Sequence, residues 1–198
     1  FNNEDYPDRL SPQDITEKSR KDTIVLANRQ YSVSTLLVIF FALSFVGWLW
    51  EVSLHLLNDG TFVNRGVLHG PWLPVYGSGV VLILVILYRF RKNMVYEFCS
   101  AVVLCGFVEY YTSVFLELTH NGMRWWDYTG YFLNLNGRIC AEGLLVFGLG
   151  GCAAVYFLAP MIDNLLKKAK PKLLKIICVI LVLCFIGDNI YSHFVPNT

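Results

Sequence analysis

Residues Thr35 to Trp50 read TLLVIFFALSFVGWLW, sixteen consecutive positions without a charge. A run of this kind leaves few places for a chain to go. In hydrocarbon each backbone N–H and C=O must be paired internally, so only helices or closed barrels cross, and a helix needs about 20 mostly apolar residues to span a core of about 30 Å. Barrel strands would show alternating ten-residue segments, whereas these runs are continuous.

Five segments meet the helical requirement. The first extends from about Ser34 to Leu57; the second, from about Trp72 to Tyr88, contains SGVVLILVILY; the third runs from about Val95 to Leu118, the fourth from Ile139 to Met161 and the fifth from Leu173 to about Tyr191. The third reaches spanning length only with Glu109 inside it, and the fifth only with Asp188. The expected fold class is therefore all-α, an integral membrane helical bundle of about five transmembrane helices occupying residues 34–195. Residues 1–33 form a polar cytoplasmic or interfacial segment. Composition agrees: of 198 residues 55% are hydrophobic and only 16% charged, against roughly a quarter charged in soluble domains. The 14 Phe, 11 Tyr and 5 Trp exclude a disordered chain. A net charge of +1 with dispersed basic residues gives no footprint for nucleic acid.

The Lys and Arg residues set the orientation. Arg9, Lys18, Arg20, Lys21 and Arg29 precede the first span; Arg89, Arg91 and Lys92 join the second to the third; Lys167, Lys168, Lys170, Lys172 and Lys175 join the fourth to the fifth. Those thirteen share one side, and only Arg65, Arg124 and Arg138 fall on the other. The amino terminus is thus expected in the cytoplasm and the carboxyl terminus outside. Ser11-Pro12-Gln13-Asp14 has the form of a helix start, with Ser as cap and Pro at the first helical position. No signal peptide is expected, since the first apolar run begins too late and is too long, and the chain's start at Phe1 in place of Met implies processing or trimming. The cysteines, Cys99, Cys105, Cys140, Cys152, Cys178 and Cys184, form no CxxC pair and read as small buried hydrophobes.

Polar residues crowd the outer half of the expected bundle. Ser44, Trp48, Glu51 and His55 share one face of the first helix at spacings of 4, 3 and 4. Glu109, Ser113 and Glu117 form a similar stripe on the third, Asp188 and Tyr191 lie on the fifth, and Arg138 and Glu142, i and i+4, can pair at the start of the fourth. A charge in lipid costs from about 2.5 kcal/mol upward, so such acids face the bundle interior or a watery cavity. The expectation is one shared polar pocket; the alternatives are a private ion pair for each acid or a place at the headgroup level.

Two outer loops extend this pattern. Asn64 to Gly79, NRGVLHGPWLPVYGSG, holds Gly66, Gly70, Pro71 and Pro74, which resist regular helix and suggest a tight or partly re-entrant approach to the second span. Irregular backbone at membrane depth needs the shelter of protein or a cavity, so that segment is a candidate pocket wall. Asn121 to Gly143 carries Trp125, Trp126, Tyr128 and Tyr131, either part of the functional signal or simply an interfacial aromatic belt. Arginines in these loops suit a carboxylate or phosphate, yet outer-half acids outnumber them, so a zwitterionic or cationic ligand fits as well. The histidines His55, His69, His120 and His193 also lie outside, without HExxH or another tight metal spacing; no metal and no cofactor is expected. GxxxxGK[ST] and GxSxG are both missing from the sequence.

Several motifs in order now resemble one family. Gly47-Trp48-x-Trp50-Glu51, Asn64-Arg65-Gly66, His69-Gly70-Pro71-x-x-Pro74-x-Tyr76-Gly77, Arg124-Trp125-Trp126-Asp127-Tyr128 and Asn136-Gly137-Arg138-Ile139-Cys140 are similar to the putative ABC-transporter type IV family over roughly Ser34 to Pro160. The resemblance implies a multi-spanning transporter or permease component in a bacterial cell membrane. It also implies a separate ATPase subunit, docked at the 88–97 or 160–175 connection, because this chain has no ATPase motif of its own. The small bundle makes a homo-oligomer a natural expectation.

The functional expectation is a small polar or amphipathic ligand, or a lipid, bound in an outward-facing pocket and helped across. The candidate ligand-binding residues are Trp48, Glu51, Arg65, His69, Glu109, Trp125, Asp127, Asn136, Arg138 and Glu142. Glu51 and Glu109 would neutralise a cationic group or relay a proton, Arg65 and Arg138 would grip an anion, and Trp48 and Trp125 would pack on an apolar part. Two other classes fit the same sequence: an integral membrane enzyme acting on lipid headgroups or lipid-linked substrates, with Glu51 and Glu109 dividing acid and base roles, and a noncatalytic scaffold.

Overall fold

Local signals define each helix end in the computed structural model, which describes residues 29–195 and 197. Helix α1, Val33–Asp59, starts where the Ser32 hydroxyl accepts from the Thr35 amide at 3.2 Å and stops at Gly60, whose φ of 69° only glycine adopts readily. Helix α2, Pro74–Ile86, has proline in its first turn, where no amide partner is needed. The Asn93 side chain accepts from the Val95 and Tyr96 amides to open α3, Met94–Thr119. Helix α4, Ala141–Leu166, is α-helical to Ala153, passes through a π-helical turn at Ala154–Leu158 and resumes as α-helix. Helix α5, Pro171–Phe194, again begins with proline. The start predicted at Ser11 lies outside the described residues.

The architecture is all-helical among the described residues, with one isolated bridge between Leu135 and Ile139 in the loop before α4. Four helices, α1, α3, α4 and α5, are long and apolar enough to cross a membrane. Helix α2 is not. Its 13 residues rise about 20 Å, well short of the hydrocarbon thickness. The expected second span from Trp72 to Tyr88 is therefore only partly helical, because the Gly66, Gly70 and Pro71 backbone precedes it in irregular form. That irregular stretch is fixed against α1: the Leu73 amide donates to the Ser44 carbonyl at 2.9 Å, which puts the start of α2 beside the middle of α1.

Helix α2 occupies the centre of the bundle. Its glycines permit this, since a Cβ on Gly77 would collide with the Phe40 carbonyl and Ser44 hydroxyl, and one on Gly47 of α1 would strike the Tyr76 ring. Ile39, Leu43, Ile83, Leu84, Ala101 and Ala154 make the shared core of α1 to α4. The main packed pairs are α1 with α2 and α3 with α4; α1 meets α4 chiefly along its inner segment, Ala159–Leu166. Helix α5 lies outside this core and leans on α1.

A second polar cluster occurs at the inner end, which the spacing of its residues does not foretell. Arg29 pairs with Asp163 at 2.9 Å, and Lys167 reaches the same carboxylate at 2.8 Å. Arg91 is almost wholly buried, donating to the carbonyls of Leu84 and Arg29, while Tyr156 on the π turn donates to the Arg91 carbonyl at 2.8 Å. Glu97 is fully buried in the first turn of α3. These contacts lock the connection between α2 and α3 against α4. All six cysteines are free thiols; Cys99 and Cys184 are exposed and the others buried.

Candidate functional site

The outer polar residues separate into three groups, each built around an acid. Asp188, two-thirds of the way along α5, is an anchor for the irregular backbone before α2. Its carboxylate accepts from the His69 amide at 3.2 Å, the Gly70 amide at 3.0 Å, the Trp72 indole at 2.7 Å and the Ser192 hydroxyl at 3.3 Å. Backbone donors without a helix partner need an acceptor at membrane depth, and this acid supplies it. Trp48 belongs to the same assembly through its indole bond to Asn64 at 2.6 Å, and Asn64 in turn donates to the His69 carbonyl at 2.9 Å. The His69 ring sits 2.9 Å from the Ser192 hydroxyl. Trp48 and His69 thus hold a loop in place.

The second group is an ion-pair clamp on the outer loop. Glu117 accepts from Arg138 and, at 3.2 Å, from Arg124. Arg138 also donates to Ser113 at 3.0 Å and lies over the Tyr110 ring, 5.8 Å from its centre. Its carboxylate partner is therefore Glu117 on α3; the expected i, i+4 pair with Glu142 does not form, because Arg138 precedes the helix and turns toward α3. Asn136 bonds the Tyr110 hydroxyl at 2.9 Å, and Trp125 packs on the His120 ring at 4.6 Å. Asp127 accepts from the Thr129 amide and hydroxyl, bonds that hold its carboxyl below the usual range. Gly137, at φ 65°, sits so close to Asp127 that a Cβ would collide with it. Among the described residues Arg65 has no hydrogen-bond or ion-pair partner.

The third group borders a cavity of about 460 Å³. Its wall is apolar almost throughout, with contributions from Leu43, Ile83, Val108, Phe147 and Leu158, and Glu109 is the one charged side chain on it. Val46 and Trp50 of α1 and Val146 and Leu149 of α4 line the cavity and are themselves exposed. The space is therefore open at its side, between α1 and the outer half of α4. Glu109 is 4% exposed; one carboxylate oxygen accepts from the Tyr128 hydroxyl at 3.0 Å and the other has no partner. Tyr76 of the cavity wall donates to Glu51 at 2.5 Å. The two carboxylates and two phenols are near enough to feel one another's charge. Burial and the adjoining Glu109 carboxylate push the Tyr128 phenol well above its ordinary value, so it remains a proton donor to that acid.

Of the ten sequence candidates, Glu109 therefore lines the cavity, and Glu51 is tied to its wall through Tyr76. Trp48 and His69 attend the Asp188 anchor; Arg138 and Asn136 attend the Glu117 clamp; Trp125 and Asp127 shape the outer loop. Tyr76 and Tyr128 were not singled out, although an acid buried among apolar residues calls for a hydroxyl donor, and both belong to the motifs beside it. Among the described residues no three His, Cys, Asp or Glu side chains converge as a metal-holding group.

A family model described as putative ABC-transporter type IV matches residues 38–193, most of the chain, and the chain belongs to that family. No curated protein and no solved structure matches it. The four long apolar helices and this membership make it an integral membrane protein of transporter-like type.

Proposed function

We propose that this member of the putative ABC-transporter type IV family binds an amphipathic ligand from within the membrane and contributes to its passage. The observation that carries this reading is the side-opening apolar cavity with a buried carboxylate on its wall. An apolar body gains by burial against Leu43, Ile83 and Phe147, roughly 25 cal/mol for each Å² removed from water. A polar head gains by meeting Glu109, whose free oxygen otherwise lacks a partner. A purely polar solute would find one acid and little else. The cavity therefore favours the amphipathic half of the sequence expectation over the polar half.

Family membership supports a separate ATPase subunit as partner. Arg89, Lys92 and Lys168 are exposed on the inner connections, where such a subunit would dock. Arg91 and Glu97, in the same region, are buried.

Gly150 provides the test. It lines the cavity, and a Cβ there meets nothing within 4 Å, so Gly150→Phe would fill the space without displacing the backbone. Tritiated single-chain amphiphiles with ammonium, zwitterionic and sulfate heads are offered to the purified protein in a scintillation proximity assay. At least one binds saturably, and Gly150→Phe abolishes that binding while the thermal unfolding midpoint stays put. No saturable binding by any head group, or binding indifferent to Gly150→Phe, would refute the proposal.

A further inference from the structure

We infer that the ligand taken by this cavity carries a positive charge: the site selects lipophilic cations, with the cationic head drawn toward the Glu109 carboxylate and the apolar body filling the space toward Ile83 and Leu158. The inference rests on the amphipathic-ligand reading above and names the chemistry of the head.

Three observations converge on it. Among the described residues Glu109 is the only charged one on the wall, it is 4% exposed, and its second oxygen has no hydrogen-bond partner. A carboxylate so placed is costly in hydrocarbon until a donor or a positive charge meets it. The nearby arginines are committed elsewhere: Arg124 and Arg138 are both held by Glu117, and Arg91 by the carbonyls of Leu84 and Arg29. Arg29 is paired with Asp163 at the opposite end. Arg65 has no such partner among the described residues but does not line the cavity, so no arginine among them stands on the wall beside Glu109.

The surroundings of Glu109 add to the preference. Glu51 contributes a second carboxylate to the same electrostatic neighbourhood, and its Tyr76 partner lines the cavity next to Phe147, ring centres 5.8 Å apart. Trp50 stands at the lateral opening. Aromatic faces attract a cation, most strongly where water is excluded, and Trp is the strongest of them. An anion would meet the Glu109 carboxylate with no compensating cation among the described lining residues. A neutral ligand would leave the acid's free oxygen as it was unless it brought a donor.

Tetraphenylphosphonium and tetraphenylborate test this directly, because they share size, shape and apolar surface and differ in the sign of the charge. Binding of each to the full chain in lipid nanodiscs is measured by equilibrium dialysis against empty nanodiscs. The phosphonium binds at least about tenfold more tightly than the borate, and Glu109→Gln lowers phosphonium affinity by at least about tenfold while Glu109→Asp retains part of it. Equal affinity for the two ions overturns the inference, as does phosphonium binding that Glu109→Gln leaves unchanged. Phosphonium that fails to bind a protein which still binds the alkyl amphiphiles overturns it as well, and leaves the cavity reading intact. If no amphiphile of any charge binds, the broader proposal fails with it.

Discussion

Asp188 shows how one side chain can decide whether an irregular segment survives within a bilayer. Replacement by Ala leaves the His69 and Gly70 amides and the Trp72 indole without their acceptor, at about 1–3 kcal/mol for each orphaned donor. Asp188→Ala should therefore lower the thermal unfolding midpoint in detergent sharply, and Asp188→Asn, which keeps one acceptor oxygen, should fall between it and the parent. Glycines give a second contrast. Gly77→Ala drives a methyl into the Phe40 carbonyl and should cost about 1–3 kcal/mol, whereas Gly187→Ala meets open space and should be neutral or mildly stabilising. Thermal unfolding of the two variants side by side checks the difference. At this scale the sequence was informative about which residues are polar and deep, and poor at saying with whom they pair. Arg138 and Glu142 are four apart and suggest a partnership, but the turn at Asn136 and Gly137 aims Arg138 at Glu117 on another helix.

Among the elements, α1, α3 and α5 were legible to within a few residues because hydropathy and helix length point the same way. Helix α4 was predicted to end at Met161 and continues to Leu166. Its π turn left no mark in the sequence, since Ala154 to Leu158 is apolar and compatible with ordinary helix. Helix α2 was overread for a related reason: hydropathy reports burial, and Trp72 and Leu73 are apolar without being helical. What holds them is the bond from Leu73 to Ser44 and the reach of Asp188, contacts between distant parts of the chain. Hydrogen–deuterium exchange should reveal this arrangement. The amides of His69, Gly70 and Leu73 should exchange slowly although they lie outside helices, and Asp188→Ala should speed exchange at 69 and 70 more than at 73. Equal rates at all three, matching those of an exposed loop, would count against the anchored segment.

For the whole molecule, the basic residues order the connections, and the helices turn that order into a shape. The basic residues Arg89, Lys92 and Lys167 to Lys170 predict an inner face and five crossings, one of them made by Gly66–Leu73 together with the short α2. In a cysteine-free background, single cysteines at 92 and 168 should react with a membrane-impermeant maleimide only after the inner face is opened, and those at 58 and 123 should react from outside; the reverse pattern would invert the orientation. The expected single polar pocket is where the sequence reading met its limit. Lipid does drive buried acids to find partners, yet local loops and α5 satisfied Glu117 and Asp188 separately, which left Glu51 and Glu109 at a largely apolar cavity. Its lateral opening arises because α1 meets α4 chiefly at the inner end while the short α2 fills the centre, a relation that no run of residues encodes.

The most direct measurement is photolabelling in lipid nanodiscs with a diazirine-bearing long-chain ammonium, followed by peptide mapping. Adducts should concentrate on Trp50, Val108 and Leu149 around the cavity, and excess tetraphenylphosphonium should suppress them. Adducts scattered over exposed positions of α5 such as Ile180 and Leu183, with none at the cavity and no competition, would mean that the opening between α1 and α4 admits no ligand.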